Sequence, residues 1–591
     1  MKFSHVTLSP RLRLALSLVV VAVIVVLHVD LKTTKIFRHP SWEHDDELGQ
    51  FWSEAAFHYR FAKFFAENPP VRWKELSADR AVQHPDVIND WAEFTVAMEV
   101  PVGVLYRWWQ PKIQFHAFVV WYDCIVSSLT LFSVFFLARA LWRSDGAGLL
   151  ATVLYATLYA SYGRTVKNLF LREDFALPII VLALFFTIRV LQENRPRDQI
   201  AAGIAWIVAL ASWHVTPFFL AVIIGAIALV FWTEDRVPQA KWLLLLLMIG
   251  GLIVPVLWAK QFVFSPPMCV IYGVALAVWK GKTRRTRLAV SFGATAAMVL
   301  IGSFLQTSYS EYAHVYQLFF YKLAYFGHKP LDPAALPFEA RVLWESAFRT
   351  AAFDDLWRNF QLCLPLAFTA MVMYRHDKEL ATRTFLIVFG LLFFLGWIVV
   401  RYFTFLSFAI AVLAAGLMIR QGCGWKWAVF GVLGWQLALL NWKPLPRDQP
   451  RPEQYRAAVE WLQENVKSDT VVLATIAEAP VFWTHVGGRM ILHSKFENRP
   501  IRLRYQEFLE AIYQDEEKFH TFARKYGADY FIFDEDGFLY GGTESRRYKA
   551  NQLGPLAPES TVMRFAQHPD EMKYFKLELD TRHFTVFRVL K

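Results

Sequence analysis

The sequence predicts a polytopic α-helical membrane protein with a C-terminal soluble α/β domain. Three observations lead to this class. Hydrophobic residues make up 55% of the 591 and aromatic residues 16%, with 52 Phe and 23 Trp, and the excess is confined to the first three-quarters. Apolar runs of about 17 to 25 residues recur there, long enough to cross a hydrocarbon core of about 30 Å. Beyond residue 442 these runs stop, and short β-rich stretches alternate with amphipathic helical patterns. The net charge of +11 gathers in short loops between apolar runs, where Lys and Arg set orientation. It therefore does not point to nucleic acid.

Residues 1–13 are basic and carry no acid, and an apolar run follows at 14–29. No small-residue cleavage site comes after it, so a retained first span with a cytoplasmic N-terminus is expected. A hydrophilic loop, 30–114, comes next. Further spans are expected at 115–141, 149–162, 175–191, 201–211, 215–232, 242–258, 263–279, 288–305, 362–374, 385–400, 403–419 and 427–440, about thirteen in all. Positive charge bunches on alternate loops: Arg139 and Arg143, Arg189 to Arg197, Arg236 and Lys241, Lys280 to Arg287, Arg375 to Arg383, and Arg420 with Lys426. Those loops are the cytoplasmic ones by the positive-inside rule. The loop 30–114, a second loop 306–359 and the tail then share the outer face. Residues 1–442 form the transmembrane module, and 443–591 form an extracytoplasmic domain.

The tail opens with the linker Lys443-Pro444-Leu445-Pro446-Arg447. Helical patterns cover 452–466, 502–513 and 516–526. Strands are expected at 470–475, 490–493, 530–534, 574–579 and 583–589. The four cysteines, Cys124, Cys269, Cys363 and Cys423, lie in or beside apolar runs, which leaves the tail without a disulfide framework or a CxxC metal site.

The chemistry is expected on the outer face, because ionisable groups near membrane depth are costly and usually functional. Glu54 and His58 stand one helical turn apart in Trp52-Ser53-Glu54-Ala55-Ala56-Phe57-His58-Tyr59-Arg60 and face one way if the segment is helical. Lys167-Asn168-Leu169-Phe170-Leu171-Arg172-Glu173-Asp174 opens a span, Ser212-Trp213-His214 sits in an outer turn, and Arg401-Tyr402 opens a late span. Arginines at one depth with carboxylates and histidines suit a phosphate-linked donor. Each group alone has a plainer reading. Charges at helix ends snorkel to the interface, and Asp45-Asp46-Glu47 reads as a solvated face. The convergence of four sets on one face favours function.

Glu54 followed by Phe57-His58-Tyr59-Arg60 resembles the first-loop motif of GT-C glycosyltransferases, polytopic enzymes that take sugars from polyprenyl-phosphate carriers. Within them the chain is similar to the dumpy-19 type of protein C-mannosyltransferase. The likeness runs through Asp79-Arg80, Val87-Ile88-Asn89, Glu99-Val100, Leu171-Arg172-Glu173-Asp174-Phe175, Arg401, His493, Phe496-Glu497, Arg502 and Arg504. His214 stands where that family has glutamine, and Asp174 where it has serine. The related oligosaccharyltransferase catalytic subunit carries Trp-Trp-Asp-Tyr-Gly in its tail; here 473–482 read Leu-Ala-Thr-Ile-Ala-Glu-Ala-Pro-Val-Phe, and the signature is absent.

The resemblance implies an inverting hexosyltransferase that moves one hexose, by preference mannose, from a polyprenyl (dolichyl or bacterial) phosphate to tryptophan in an acceptor polypeptide. It implies Glu54 as the base, Arg172 and Arg401 as donor-phosphate ligands, and His58, Tyr59, Arg60, Glu173, Trp213 and His214 as substrate contacts. No cofactor is required in this reading, although Asp45, Asp46 and Glu173 leave a divalent metal possible. A GT-C transferase with another sugar or acceptor (a glycan transferred to asparagine, or a lipid or glycan acceptor) remains open. So does a non-enzymatic transporter or assembly protein. The short loops favour a bacterial inner membrane over the endoplasmic reticulum.

Overall fold

The computed structural model describes residues 9–234, 240–280, 283–305, 308–421, 426–440 and 452–591. Arg236, Lys282, Cys423 and the linker 443–447 lie outside them. Each of the thirteen apolar segments falls on helix. Among the described residues, seven helical stretches are long and apolar enough to cross a membrane by length and composition, and three apolar helices, Lys241–Ile253, Pro266–Lys280 and Cys363–Tyr374, are shorter.

Helix Phe403–Arg420 is the hub of the membrane part. Its sequence is apolar on all sides, as a helix surrounded by other helices must be, and it packs against Thr130–Trp142, Asp145–Thr157 and Cys363–Tyr374. Small residues let these backbones approach. At Gly416 an added Cβ would fall 2.0 Å from the Trp142 ring, and the Trp142 indole N–H donates to Val412 O at 2.8 Å.

The first helix, Pro10–Phe37, starts at an Ser9 N-cap that accepts from Leu12 N. It runs eight residues into what the sequence marks as loop. Lys32, placed by sequence at the start of the hydrophilic loop, is fully buried and donates to Ser127 Oγ of a neighbouring helix at 2.8 Å. The loop 306–359 contains helices Ser308–Ala324, Phe338–Leu343 and most of Phe353–Phe360.

In the first loop, helix Glu54–Glu67 buries Ala55, Phe57, His58, Phe61 and Phe65. It lies between helix Glu99–Trp109 on one side and Ala479–Val486 of the C-terminal domain on the other. Contact with Glu99–Trp109 is through Gly103, where a Cβ would sit 2.6 Å from both Ala62 O and Phe65 Cβ.

The C-terminal domain holds a five-stranded sheet: β1 (Val471–Leu473), β2 (Arg489–Met490), β3 (Tyr530–Phe533), β4 (Phe575–Asp580) and β5 (Thr585–Val589). The order is β2-β1-β3-β5-β4. β1 runs parallel to β2 and β3, and β5 pairs antiparallel with β3 and β4. Helices Arg499–Ile512 and Glu516–Lys525 carry the aromatic core against it. The first loop completes the sheet's edge: Met490 N donates to Ala81 O at 2.8 Å, and His84 N to Met490 O at 2.9 Å. Around that seam Arg504 pairs with Asp86, Arg456 with Asp46, and Asn498 donates to Glu93.

Gly103→Val is expected to force the two loop helices apart and lower stability by about 1–3 kcal/mol, the usual range for overpacking. Thermal unfolding of the detergent-solubilised protein would check this; an unchanged midpoint would show that the helices do not depend on close approach.

Candidate functional site

A cavity of about 810 Å³ lies between the membrane helices and the C-terminal domain. Its lining includes Trp52, Glu54, Arg164, Lys167, His214, Arg358, Arg401 and Glu497. Glu54 is the first residue of its helix, where the partial positive charge of free backbone N–H groups favours a carboxylate. Ser53 before it has φ +53°, a backbone conformation that non-glycine residues adopt at some cost. The turn delivers Glu54 to the cavity with 26% of its side chain exposed.

Two cations and an imidazole surround that carboxylate. Lys495 Nζ lies 2.6 Å from Glu54 Oε1, Arg401 Nη2 3.8 Å from Oε2, and His58 Nε2 3.6 Å from Oε1. Burial pushes Glu54 up, but Lys495 first, with Arg401, holds it well below the usual carboxylate range. Glu54 is therefore an anion at neutral pH, the form a base requires.

His58 is fully buried. Its Nε2 lies 2.9 Å from Lys495 Nζ, and its Nδ1 lies 2.5 Å from Glu99 Oε1. Glu99, also fully buried, takes Arg172 at 3.0 Å. Burial raises Glu99, but Arg172 and His58 outweigh it and hold it at about 2.

A second network faces Glu54. Arg401 Nε lies 3.2 Å from Glu173 Oε2, and Arg164 pairs with the other oxygen of Glu173. Arg401 also lies over the rings of Phe348 and Trp213, at 5.3 and 5.7 Å. His214 Nδ1 stands 3.5 Å from Glu497 Oε1. Burial takes His214 down to about 4, and Glu497 is at about 2 despite burial, with His214 and Lys495 facing it. One state at neutral pH fits both: an anionic Glu497 beside a neutral imidazole, with Lys495 supplying the cation. Past His214 and Phe218 the cavity adjoins an apolar cleft lined by Leu210, Ala221, Val256, Leu257 and Phe262.

Of the residues singled out by sequence, Glu54, Arg401 and His214 line the cavity, and Lys167 of the span-opening run joins them. Four others stand behind the wall. His58 supports Glu54. Trp213 is 1% exposed and stacks on Phe405. Glu173 is held by two guanidinium groups. Arg172, expected at the donor phosphate, is instead 1% exposed and committed to Glu99. Tyr59 and Arg60 depart further, since the helical turn points them away from Glu54. The Tyr59 hydroxyl donates to Glu47 and its ring stacks on Phe51 at 4.2 Å, while Arg60 lies over Trp483 at 5.2 Å. Asp46 is taken by Arg456, so Asp45, Asp46 and Glu173 do not assemble. Among the described residues no group of three or more His, Cys, Asp and Glu side chains is arranged to hold a metal ion.

Sequence reasoning missed Lys495, Arg164 and Arg358. Arg164 carried a readable signal, since helix Tyr159–Lys167 is strongly amphipathic and ends in Arg164 and Lys167. Nothing in spacing connects Lys495 to Glu54.

A family model described as Dpy19, Q-cell neuroblast polarisation, matches residues 19–326, just over half of the chain. This chain belongs to the Dpy19 family. The C-mannosyltransferase dpy-19 homolog of Drosophila melanogaster is 21% identical to it over 201 residues, which cover 32% of this chain and 23% of that protein. The chain thus matches about a quarter of the curated relative's length. The archaeal oligosaccharyltransferase AglB from Archaeoglobus fulgidus, in complex with an inhibitory peptide and a dolichol-phosphate, superposes with a TM-score of 0.63 at 13% identity, covering 92% of this chain and 71% of that one. An Archaeoglobus fulgidus oligosaccharyltransferase tethered to an acceptor peptide containing the NVT sequon gives 0.59 at 13% identity, covering 97% and 74%. The expected GT-C fold is the fold of this Dpy19-family chain.

Glu99→Gln leaves Arg172 buried without its counter-charge and is expected to cost about 3–5 kcal/mol. In the native protein Glu99 is depressed from its ordinary 4.5 to about 2. Its contribution to stability is therefore complete above about 4.5 and lost as pH falls towards 2. Thermal unfolding between pH 6 and 3 should show a fall below pH 4.5 in the native protein that is shallower in Glu99→Gln. Equal slopes would show that Glu99 does not carry the effect.

Proposed function

We propose that this chain transfers a single hexose, mannose by preference, from a polyprenyl-phosphate carrier to tryptophan in an exported polypeptide, on the outer face of a bacterial plasma membrane. Family membership and the C-mannosyltransferase activity for which the fly relative is named support the reaction class. The dolichol-phosphate and peptide bound by the archaeal enzyme support a lipid-phosphate donor and a polypeptide acceptor. The observation that carries the reading is the meeting of Glu54 and Arg401, 3.8 Å apart, in one cavity that adjoins an apolar cleft. A base, a phosphate ligand and a path for an isoprenoid chain then share one place.

Charge bookkeeping fits this chemistry. Arg401, Arg164 and Lys495 are matched by Glu173, Glu54 and Glu497, so the charge of the donor phosphodiester falls to other cations of the lining. Lys167 and Arg358 also line the cavity, and neither forms an ion pair among the described residues. They are available for the phosphodiester and for the second negative charge that develops as polyprenyl phosphate leaves.

The anomeric C–O bond to phosphate breaks through an oxocarbenium-like transition state, and the indole carbon bonds to the anomeric carbon from the opposite face. The bond electrons leave with the phosphate. The resulting ring cation gives its proton to Glu54, which restores aromaticity, and the proton passes on to water. A ring cation is a strong acid, so a carboxylate of depressed pKa is a sufficient base. Indole is a weak carbon nucleophile and depends on being held in line. Guanidinium groups hold the phosphate in this scheme, so no divalent metal is required.

Purified protein given a short-chain polyprenyl-phosphate mannose and a Trp-x-x-Trp peptide is expected to add one hexose mass to tryptophan, with or without EDTA. Glu54→Gln should bind donor but lose about 10²-fold or more in rate. Full transfer by Glu54→Gln would sink the base assignment, and hexose found on another residue or on lipid would replace the acceptor.

A further inference from the structure

We propose that Lys495, on the loop after β2 of the C-terminal domain, is the positioning residue of the Glu54 carboxylate, fixing its orientation and its charge. This rests on the reading of Glu54 as the base.

Lys495 is fully buried, and its four-carbon stem carries the ammonium past the Phe57 ring, 5.7 Å from its centroid, to Glu54 Oε1 at 2.6 Å and His58 Nε2 at 2.9 Å. The loop that holds it is anchored on both sides. Met490 is bonded to Ala81 and His84, and Arg504 donates to Ile491 O at 3.1 Å. The Lys495 backbone N–H donates to His493 Nδ1 at 3.2 Å.

An ammonium has only donors. Its contact with His58 therefore makes Nε2 the acceptor and leaves the imidazole proton on Nδ1, directed at Glu99 Oε1, 2.5 Å away. His58 in this state is a neutral ring with both nitrogens occupied, so it cannot take the substrate proton. The task falls to Glu54 alone.

The groups facing Glu54 come from every element around it. His58 is on its own helix, Lys495 and Glu497 on the β2 loop, Arg401 at the entry to the last buried span, Arg164 on helix Tyr159–Lys167, and His214 in the turn before Thr216. Lys495 is the cation nearest to Glu54, and Glu497 and burial both oppose its ionisation. Without Lys495 the carboxylate would protonate at a higher pH. Burial and Arg172 press the ammonium towards losing its proton, and Glu54 and Glu497 oppose this, so the pair hold each other charged.

The test is a pH titration of full-length protein in detergent by difference infrared spectroscopy. The protonated Glu54 carbonyl band is identified by its absence in Glu54→Gln. Lys495→Met, and Lys495→Gln as a polar variant that keeps a hydrogen-bond donor, are expected to show the band at least one pH unit higher than the native protein, a tenfold change in protonation. Lys495→Arg should stay near native. In the transfer assay the acid limb of kcat should move up by the same amount, with kcat lowered at least tenfold and donor KM within threefold. A band at the native pH in both neutral variants, with native thermal midpoints, would overturn the proposal. The band does not depend on turnover: a shifted band in a protein that transfers nothing would uphold Lys495 and remove the transferase reading.

Discussion

Charge that is buried beside a membrane has to be neutralised by a neighbour, and this constraint shapes the molecule around its first loop. Glu54, Lys495, His58, Glu99 and Arg172 form one continuous row of contacts. The row begins in the cavity, passes through the C-terminal domain and the loop helix, and ends at the start of a membrane span. Each member is deeply buried except Glu54, which keeps a quarter of its surface open. Removing one member strands the next in a low-dielectric setting, where an unpaired charge costs several kcal/mol. The two halves of the chain are therefore tied by electrostatics as well as by apolar contact.

The second row, Arg164 to Glu173 to Arg401, is one carboxylate short of neutrality. It touches the first at Glu54. The first row is balanced within itself, and Glu497 offsets the excess of the second, so that among the described residues Lys167 and Arg358 are the cations of the cavity lining without an ion pair. In the proposed reaction those cations would meet the donor phosphate, and Glu54 would act as the base. Arg172, whose charge Glu99 meets at 3.0 Å, stands behind the cavity wall.

Much of the fold was legible because it depends on periodicity and length. Among the described residues seven helices fall where apolar runs reach membrane length, and the five tail strands overlap the stretches expected for them, β2 starting one residue early and β4 ending one residue late. The misreadings come from partners that lie far away in sequence. Helix Pro10–Phe37 outruns its apolar segment because Ser127 receives Lys32. Helical spacing put Glu54 and His58 on one face but could not show that Tyr59 and Arg60 turn towards Glu47 and Trp483. Spacing also assigns a face and not a counter-ion, so Arg172 looked as available as Arg401. Lys495 is 441 residues from Glu54, and a lone lysine after a short strand carries no mark of its destination.

The seam where Ala81 and His84 meet Met490 has a consequence for evolution and engineering. β2 is the outer strand of the sheet, and the first loop covers one side of it. A tail domain severed from the membrane part would present that edge bare, and bare edges recruit other chains. The domain thus carries its solubility on loan from a segment over four hundred residues upstream. A lineage that exchanged one of the two pieces would have to exchange the other, so loop and tail are expected to be inherited as a matched set.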